Sequence, residues 1–352
     1  MSWVLLAINV GVFVAFGAGG GGFDKANAEM LVAWGSNFGP LTAGGEWWRL
    51  FTAMFLHGGL VHLAVNMYTL YDVGRFTERL YGSLAFLVLY VLSGLLGSAA
   101  SLWWNPSVNS VGASGALFGV LGASLAFMLD RRNGVPMSVM KVHAISLSVF
   151  VVYGIANGLA QTNIDNAAHL GGLLGGVLVG FALSRPLGAS ASRPLSRAAA
   201  GIVVCTAAIV ALAIVTPNTR ATYEAEKTFL ADLKSFAQEE KALLSGLNDV
   251  LAKARQPGPL DPQLAARAGS IAEGWQQAQQ RFQAYRIEPP SRLAPLHSDM
   301  LEYADVRRRA ALAMQRALQN PADSRERVQE FNRLVKEGDV VVTRMNSRNA
   351  KK

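Results

Sequence analysis

Cysteine is almost absent: Cys205 stands alone in 352 residues, inside an apolar run. That excludes an intrachain disulfide and leaves no cysteine-based metal site to expect. Charge is scarce as well. Only 16% of residues are charged, against 51% hydrophobic. The scarcity lies before Pro217, where 10 Lys/Arg and 7 Asp/Glu occur, against 22 and 17 after it. The net charge of +8 is spread over both parts, and no basic cluster is interleaved with aromatics, so nucleic acid is not an expected partner. No lysine or arginine precedes the first apolar stretch, Trp3 to Phe16, and no clear cleavage site follows it. It is therefore expected to be a retained membrane helix rather than a signal peptide.

What the chain has is apolar length. A hydrocarbon core of about 30 Å takes roughly 20 apolar residues as helix. Apolar runs near 3–17, 54–71, 84–104, 112–129, 142–160, 167–184 and 198–216 make seven candidate spans. The expected fold is an all-α polytopic membrane helical bundle of six spans plus a seventh, followed by a soluble helical domain. The expected divisions are a six-span core over 1–184, a linker and seventh span over 185–216, and an exported tail over 217–352. Basic residues gather in Arg75–Arg79, Arg131–Lys141 and Arg185–Arg197, whereas 105–111 and 161–166 hold none. The positive-inside rule then puts the N-terminus in the cytoplasm and the tail outside. A bacterial inner or plasma membrane is the expected location, with the tail periplasmic or extracellular.

The tail reads as amphipathic helices. Phe229, Leu233, Phe236, Leu243, Leu247 and Leu251 form one apolar stripe, and Leu264, Ile271, Trp275, Phe282 and Tyr285 a second. Pro257-Gly258-Pro259, Pro289-Pro290 and Asn320-Pro321 separate these from a third helix ending near Leu318 and a fourth near 323–338. The pattern is that of a helical bundle. It reads equally as a spacer and as a domain that binds substrate or a partner. His297 lies there without neighbours that would make a ligand set.

Spans two, four and six share one direction, from outside to inside. A polar residue near the start of each lies at similar depth. Span two begins at His57 and carries His62 and Asn66, four apart on one helical face. Span four opens on Gly112-Ala113-Ser114-Gly115, and span six carries His169. His143 falls at the opposite end, beside Lys141. Ionisable residues within spans are costly and point to function. Each has a structural reading too. Ser114 could pack a helix pair through the Gly115/Gly119 step, His169 could bond a carbonyl, and His62 with Asn66 could join helices. Together they make a hydrolytic set. A neutral imidazole can take a serine proton near pH 7, and Asn, His and backbone N–H donors can hold an oxyanion. Gly112 leaves room for a peptide carbonyl. Asp165, four residues before His169, reads better as a helix N-cap than as a third catalytic group.

These residues resemble the rhomboid intramembrane serine proteases over about residues 45–184. The resemblance rests on Trp48-Arg49, on His57 with His62 and Asn66, on Gly112-Ala113-Ser114-Gly115, and on Ala168-His169 followed by Gly172 and Gly176. It implies Ser114 as nucleophile and His169 as base in a dyad without a carboxylate. His62 and Asn66 would line the oxyanion hole. Trp48 and Arg49 would shape the first outer loop, and Phe118 stands where an aromatic packs on the histidine. The implied activity is hydrolysis of peptide bonds in or beside transmembrane segments of membrane proteins, with no cofactor or metal. A non-catalytic rhomboid-like binder of membrane clients is the rival, and such proteins generally lack the serine or the histidine.

Overall fold

The computed structural model describes residues 1–133, 137–160, 164–185, 195–257, 259, 261–289, 291–320 and 324–349. The chain divides into two compact units, Met1–Arg220 and Ala221–Lys352.

In the first unit, α1 (Ser2–Phe16) carries no charged side chain. A first loop follows, containing α2 (Ala28–Ala33), β1 (Asn37–Phe38), α3 (Gly39–Thr42) and α4 (Arg49–Thr52). Asn27 starts α2, its side-chain oxygen accepting from the N–H groups of Glu29 and Met30 at 2.9 and 3.1 Å. That satisfies donors a helix start otherwise leaves open. Next come α5 (Leu60–Thr69), α6 (Arg75–Tyr81), α7 (Ser83–Trp104), β2 (Asn109–Ser110), α8 (Ser114–Leu129), α9 (Met137–Ala160), α10 (Asn166–Leu183) and α11 (Leu195–Val215). β1 and β2 pair antiparallel, Asn37 opposite Ser110 and Phe38 opposite Asn109.

All seven apolar runs fall on helices, and the fold is an all-α polytopic membrane bundle. Among the described residues, four stretches are long and apolar enough to cross a membrane by themselves: Ser2–Gly21, Ser83–Trp104, Asn166–Leu183 and Leu195–Val215. The run at 54–71 is not the single span expected. The chain turns by 92° between Arg49–Phe55 and Leu60–Tyr81. Gly59 sits in that bend, where a Cβ would strike the Asp24 carbonyl. His57 therefore precedes α5 instead of belonging to it. α8 has only 16 residues, about 24 Å at 1.5 Å per residue. The side chain of His143 and the interval 186–194 lie outside the described residues.

α7, α8 and α10 meet through glycine. A Cβ on Gly172 would collide with the Gly115 carbonyl, one on Gly176 with the Gly119 carbonyl, and one on Gly180 would come within 2.7 Å of Ala123 Cα. Backbone thus touches backbone over successive turns of α8 and α10. On an adjoining face of α10, Gly171 and Gly175 abut Ala100, Leu96 and Ser93 of α7. Without water to drive helices together, close van der Waals approach through small residues is what holds a membrane bundle. Tyr81 closes one end of this pair, donating its hydroxyl to the carbonyls of Ala123 at 2.8 Å and Gly180 at 3.2 Å. α11 rests against α10 and α7 through Gly201, close to Ala182, and Cys205, whose thiol points to the Leu92 carbonyl.

The second unit comprises α12 (Arg220–Ala254, its first residue shared with the membrane unit), α13 (Gln263–Gln283), α14 (Ala294–Gln319) and α15 (Ser324–Asn349). Phe229, Phe236, Trp275 and Phe282 are wholly buried in its core. The separations expected at Gly258, Pro290 and Pro321 lie outside the described residues. The fourth helix extends well past the expected 338. Gly338 does not end it, because it makes room for Arg307: a Cβ there would sit 3.0 Å from the guanidinium. His297 is buried, its ring Nε2 bonded to the Phe282 carbonyl at 2.8 Å and its edge against Phe229.

Candidate active site

Ser114 is the first residue of α8 and is half-buried. The backbone N–H groups of that first turn have no partner within the helix. Gly112 shapes the approach. Its φ is 129°, a conformation that favours glycine, and its N–H donates to the Ala53 carbonyl at 2.9 Å. A Cβ on Gly112 would lie 2.8 Å from His62 Nε2 and 3.6 Å from Ser114 Oγ. The glycine therefore keeps open a space bordered by an imidazole nitrogen and a hydroxyl.

His62 lies in the first turn of α5. The Gly58 N–H donates to its Nδ1 at 3.2 Å. A neutral ring that accepts at Nδ1 carries its proton on Nε2, the nitrogen beside Gly112. His62 thus offers an N–H donor to the open space. Asn66, one turn further along α5, is buried and its amide nitrogen has no hydrogen-bond partner. His57 is 1% exposed, both ring nitrogens unpartnered, with its ring edge-on to His62 at 5.2 Å between centroids.

His169 lies near the start of α10 and is buried. Its ring stacks on Phe118, centroids 4.1 Å apart and planes within 10°. Phe118 is one helical turn beyond Ser114 on α8. The backbone agrees with this placement: a Cβ on Gly115 would be 3.4 Å from the Ala168 carbonyl. The residue after the serine therefore abuts the residue before the histidine. Gly172 and Gly176 keep the two helices at that separation.

Asp165 caps α10, accepting from the Ala168 N–H at 3.0 Å. Its other oxygen accepts from the hydroxyls of Ser101 and Ser110. His169 Nδ1 is left without a partner. The cap reading of Asp165 holds, and the serine contacts were not foreseen. Serine is common at helix ends, so nothing in the sequence marks Ser101 and Ser110 for this carboxylate.

Trp48 and Arg49 lie apart from this set, in the first loop. Arg49 is buried and donates to the Glu46 carboxylate at 2.8 Å and to the Val32 and Ser36 carbonyls at 2.6 and 3.3 Å. Its guanidinium lies 4.7 Å from the Trp48 ring centroid. The arginine ties the loop together, which its position next to tryptophan alone does not reveal.

Fold and site define a class: a polytopic helical membrane protein with a serine, two histidines and an asparagine on three of its helices. Comparison with known proteins gives the family. Residues 44–186 match the Rhomboid domain. The putative rhomboid protease YdcA of Bacillus subtilis (strain 168) is 35% identical over 165 residues, 45% of this chain and 80% of YdcA. The chain belongs to the rhomboid family. It is also 40% identical to the rhomboid protease GluP of the same organism over 196 residues, 55% of this chain and 37% of GluP. With the rhomboid protease AarA of Providencia stuartii it shares 32% identity over 173 residues, 43% of this chain and 61% of AarA. The chain thus spans little more than a third of GluP and under two thirds of AarA.

Proposed function

We propose that this protein is an intramembrane serine endopeptidase that cleaves membrane proteins in or beside their transmembrane segments, using Ser114 and His169. The observation that carries the proposal is the stacking of His169 on Phe118, one turn past Ser114, at 4.1 Å. It sets the imidazole beside the first turn of α8.

In this mechanism His169 takes the proton of Ser114 Oγ as that oxygen attacks the scissile carbonyl. The tetrahedral oxyanion forms in the space Gly112 keeps open. There His62 Nε2–H, the Asn66 amide and the Ser114 N–H stabilise it. The same imidazole, now protonated, gives its proton to the leaving amine. Water then adds to the acyl-enzyme with His169 again as base. The ring is held in plane by Phe118 rather than by a carboxylate. Phenylalanine supports stacking without adding a hydroxyl.

The short α8 suits this chemistry. A helix of about 24 Å, closed at one surface by the Asp130–Arg132 pair, ends before the opposite surface of a core about 30 Å thick. Ser114 then lies below the outer surface and is reached by water from outside. The orientation proposed has the N-terminus and the basic loops in the cytoplasm and the tail outside. The tail's alternatives, spacer or binding domain, stand as before.

The test is cleavage of a model single-span substrate in proteoliposomes. Wild type is expected to cut, and Ser114→Ala and His169→Ala are expected not to. Equal cleavage by wild type and Ser114→Ala would overturn the proposal. A raised KM with kcat kept on removing the tail would assign the tail a substrate-binding role.

A further inference from the structure

We propose that Asp165 is a positioning residue for the dyad, its carboxylate tying the loop that carries Ser114 to the helix that carries His169. This rests on the serine-protease reading above.

The carboxylate meets three elements. One oxygen accepts from the Ala168 N–H at 3.0 Å and starts α10. The other accepts from Ser110 Oγ at 2.6 Å, in β2, and from Ser101 Oγ, near the end of α7. Ser110 precedes Ser114 by four residues, and Asp165 precedes His169 by four. Between Ser110 and Ser114 the loop has one further anchor, the Gly112 N–H on the Ala53 carbonyl. The same carboxylate therefore fixes where the nucleophile's loop begins and where the base's helix begins. It acts through the serines and the cap: its oxygens are engaged there, and His169 Nδ1 has no partner.

The chemistry of the site suits a carboxylate. Two oxygens with about four lone-pair positions accommodate two hydroxyls and one N–H. Asparagine can keep the cap with its oxygen and donate from its nitrogen to the hydroxyls, which also accept. Alanine leaves both hydroxyls and the N–H unmatched.

The experiment uses the full chain in proteoliposomes, as wild type, Ser114→Ala, Asp165→Ala, Asp165→Asn, Ser110→Ala and the Asp165→Ala/Ser110→Ala double variant. Three quantities are read: the rate constant of fluorophosphonate labelling at Ser114, the labelled fraction at completion, and kcat with KM on a single-span substrate. Misplacement of reacting groups costs up to about 100-fold. On that scale Asp165→Ala is expected to lower the labelling rate constant and kcat by roughly 10- to 30-fold. The labelled fraction should stay complete and KM nearly unchanged. Asp165→Asn should stay within about 3-fold of wild type, because the cap and the bridges to the serine hydroxyls survive. Ser110→Ala should cost about 3- to 5-fold alone and nothing more in the Asp165→Ala background, as residues acting through one contact are non-additive.

An unchanged rate constant in Asp165→Ala overturns the proposal. So does a fall confined to the labelled fraction, which would make the residue structural only. Asparagine as damaging as alanine would show that the charge acts on His169 directly, and additive losses would separate Asp165 from Ser110. An inert wild type or an active Ser114→Ala overturns the protease reading itself, and shows before the Asp165 variants are compared.

Discussion

Where α8 meets α10, glycine follows glycine and the two backbones touch; where α12 meets α13, the rings of Phe229, Phe236, Trp275 and Phe282 fill the interval instead. Solvent explains the difference. Lipid tails are as apolar as leucine, so large side chains gain nothing by leaving lipid, and close contact decides. In water, burying an aromatic ring is the larger gain. The difference also bears on function. Backbone contact leaves little play between helices, so a serine on α8 and a histidine on α10 are held with the tolerance of the main chain. The tail's packing can yield by rotamer changes, and none of the proposed catalytic groups lies in it.

Substitutions at four positions break or sharpen that contrast. Gly172→Val should have the largest effect, because its side chain collides with the Gly115 carbonyl beside the nucleophile. Loss of Ser114 labelling by about 100-fold is expected, since even small misplacement of reacting groups can cost that much. Trp275→Ala should destabilise the tail by about 3–5 kcal/mol. Thermal melting would show it, while labelling of Ser114 persists. Phe118→Ala removes the stacked partner of His169. A ring pair contributes about 0.5–1.5 kcal/mol, so labelling should slow by roughly 3- to 10-fold, and Phe118→Tyr should hold the rate. Gly246→Ala in α12 should be mildest. Its Cβ would meet only the Ile271 side chain, Cδ1 at 3.3 Å and Cγ1 at 3.6 Å, and alanine favours helix by up to about 1 kcal/mol. A tail melting point equal to or above wild type is the expected reading. A loss there as deep as that of Gly172→Val would erase the distinction between the two regions.

Much of this was legible in the sequence, for identifiable reasons. Apolar runs set the helices, since a membrane demands length. The spacing of His62 and Asn66 set their shared face. The Gly115/Gly119 step announced close packing, and the folded chain sets it against Gly172 and Gly176. The bend before α5 was hidden because the residues on both sides are apolar, and hydropathy does not see direction. The extent of the last helix was hidden, since a glycine that ends a helix and one that makes room for an arginine, as Gly338 does, look alike in sequence. Asp165 announced its cap through its place before α10, whereas its two serine partners come from distant segments. Arg49 was noticed for its motif, and its grip on two carbonyls of its own loop appears only in three dimensions.

The central claim is that Ser114 and His169 act as a pair. Its most direct test is fluorophosphonate labelling of the full-length protein in bilayers, with the modified residue located by mass spectrometry. The label is expected on Ser114 in wild type and absent in His169→Ala. A label on another serine, or undiminished labelling of Ser114 in His169→Ala, would contradict the account.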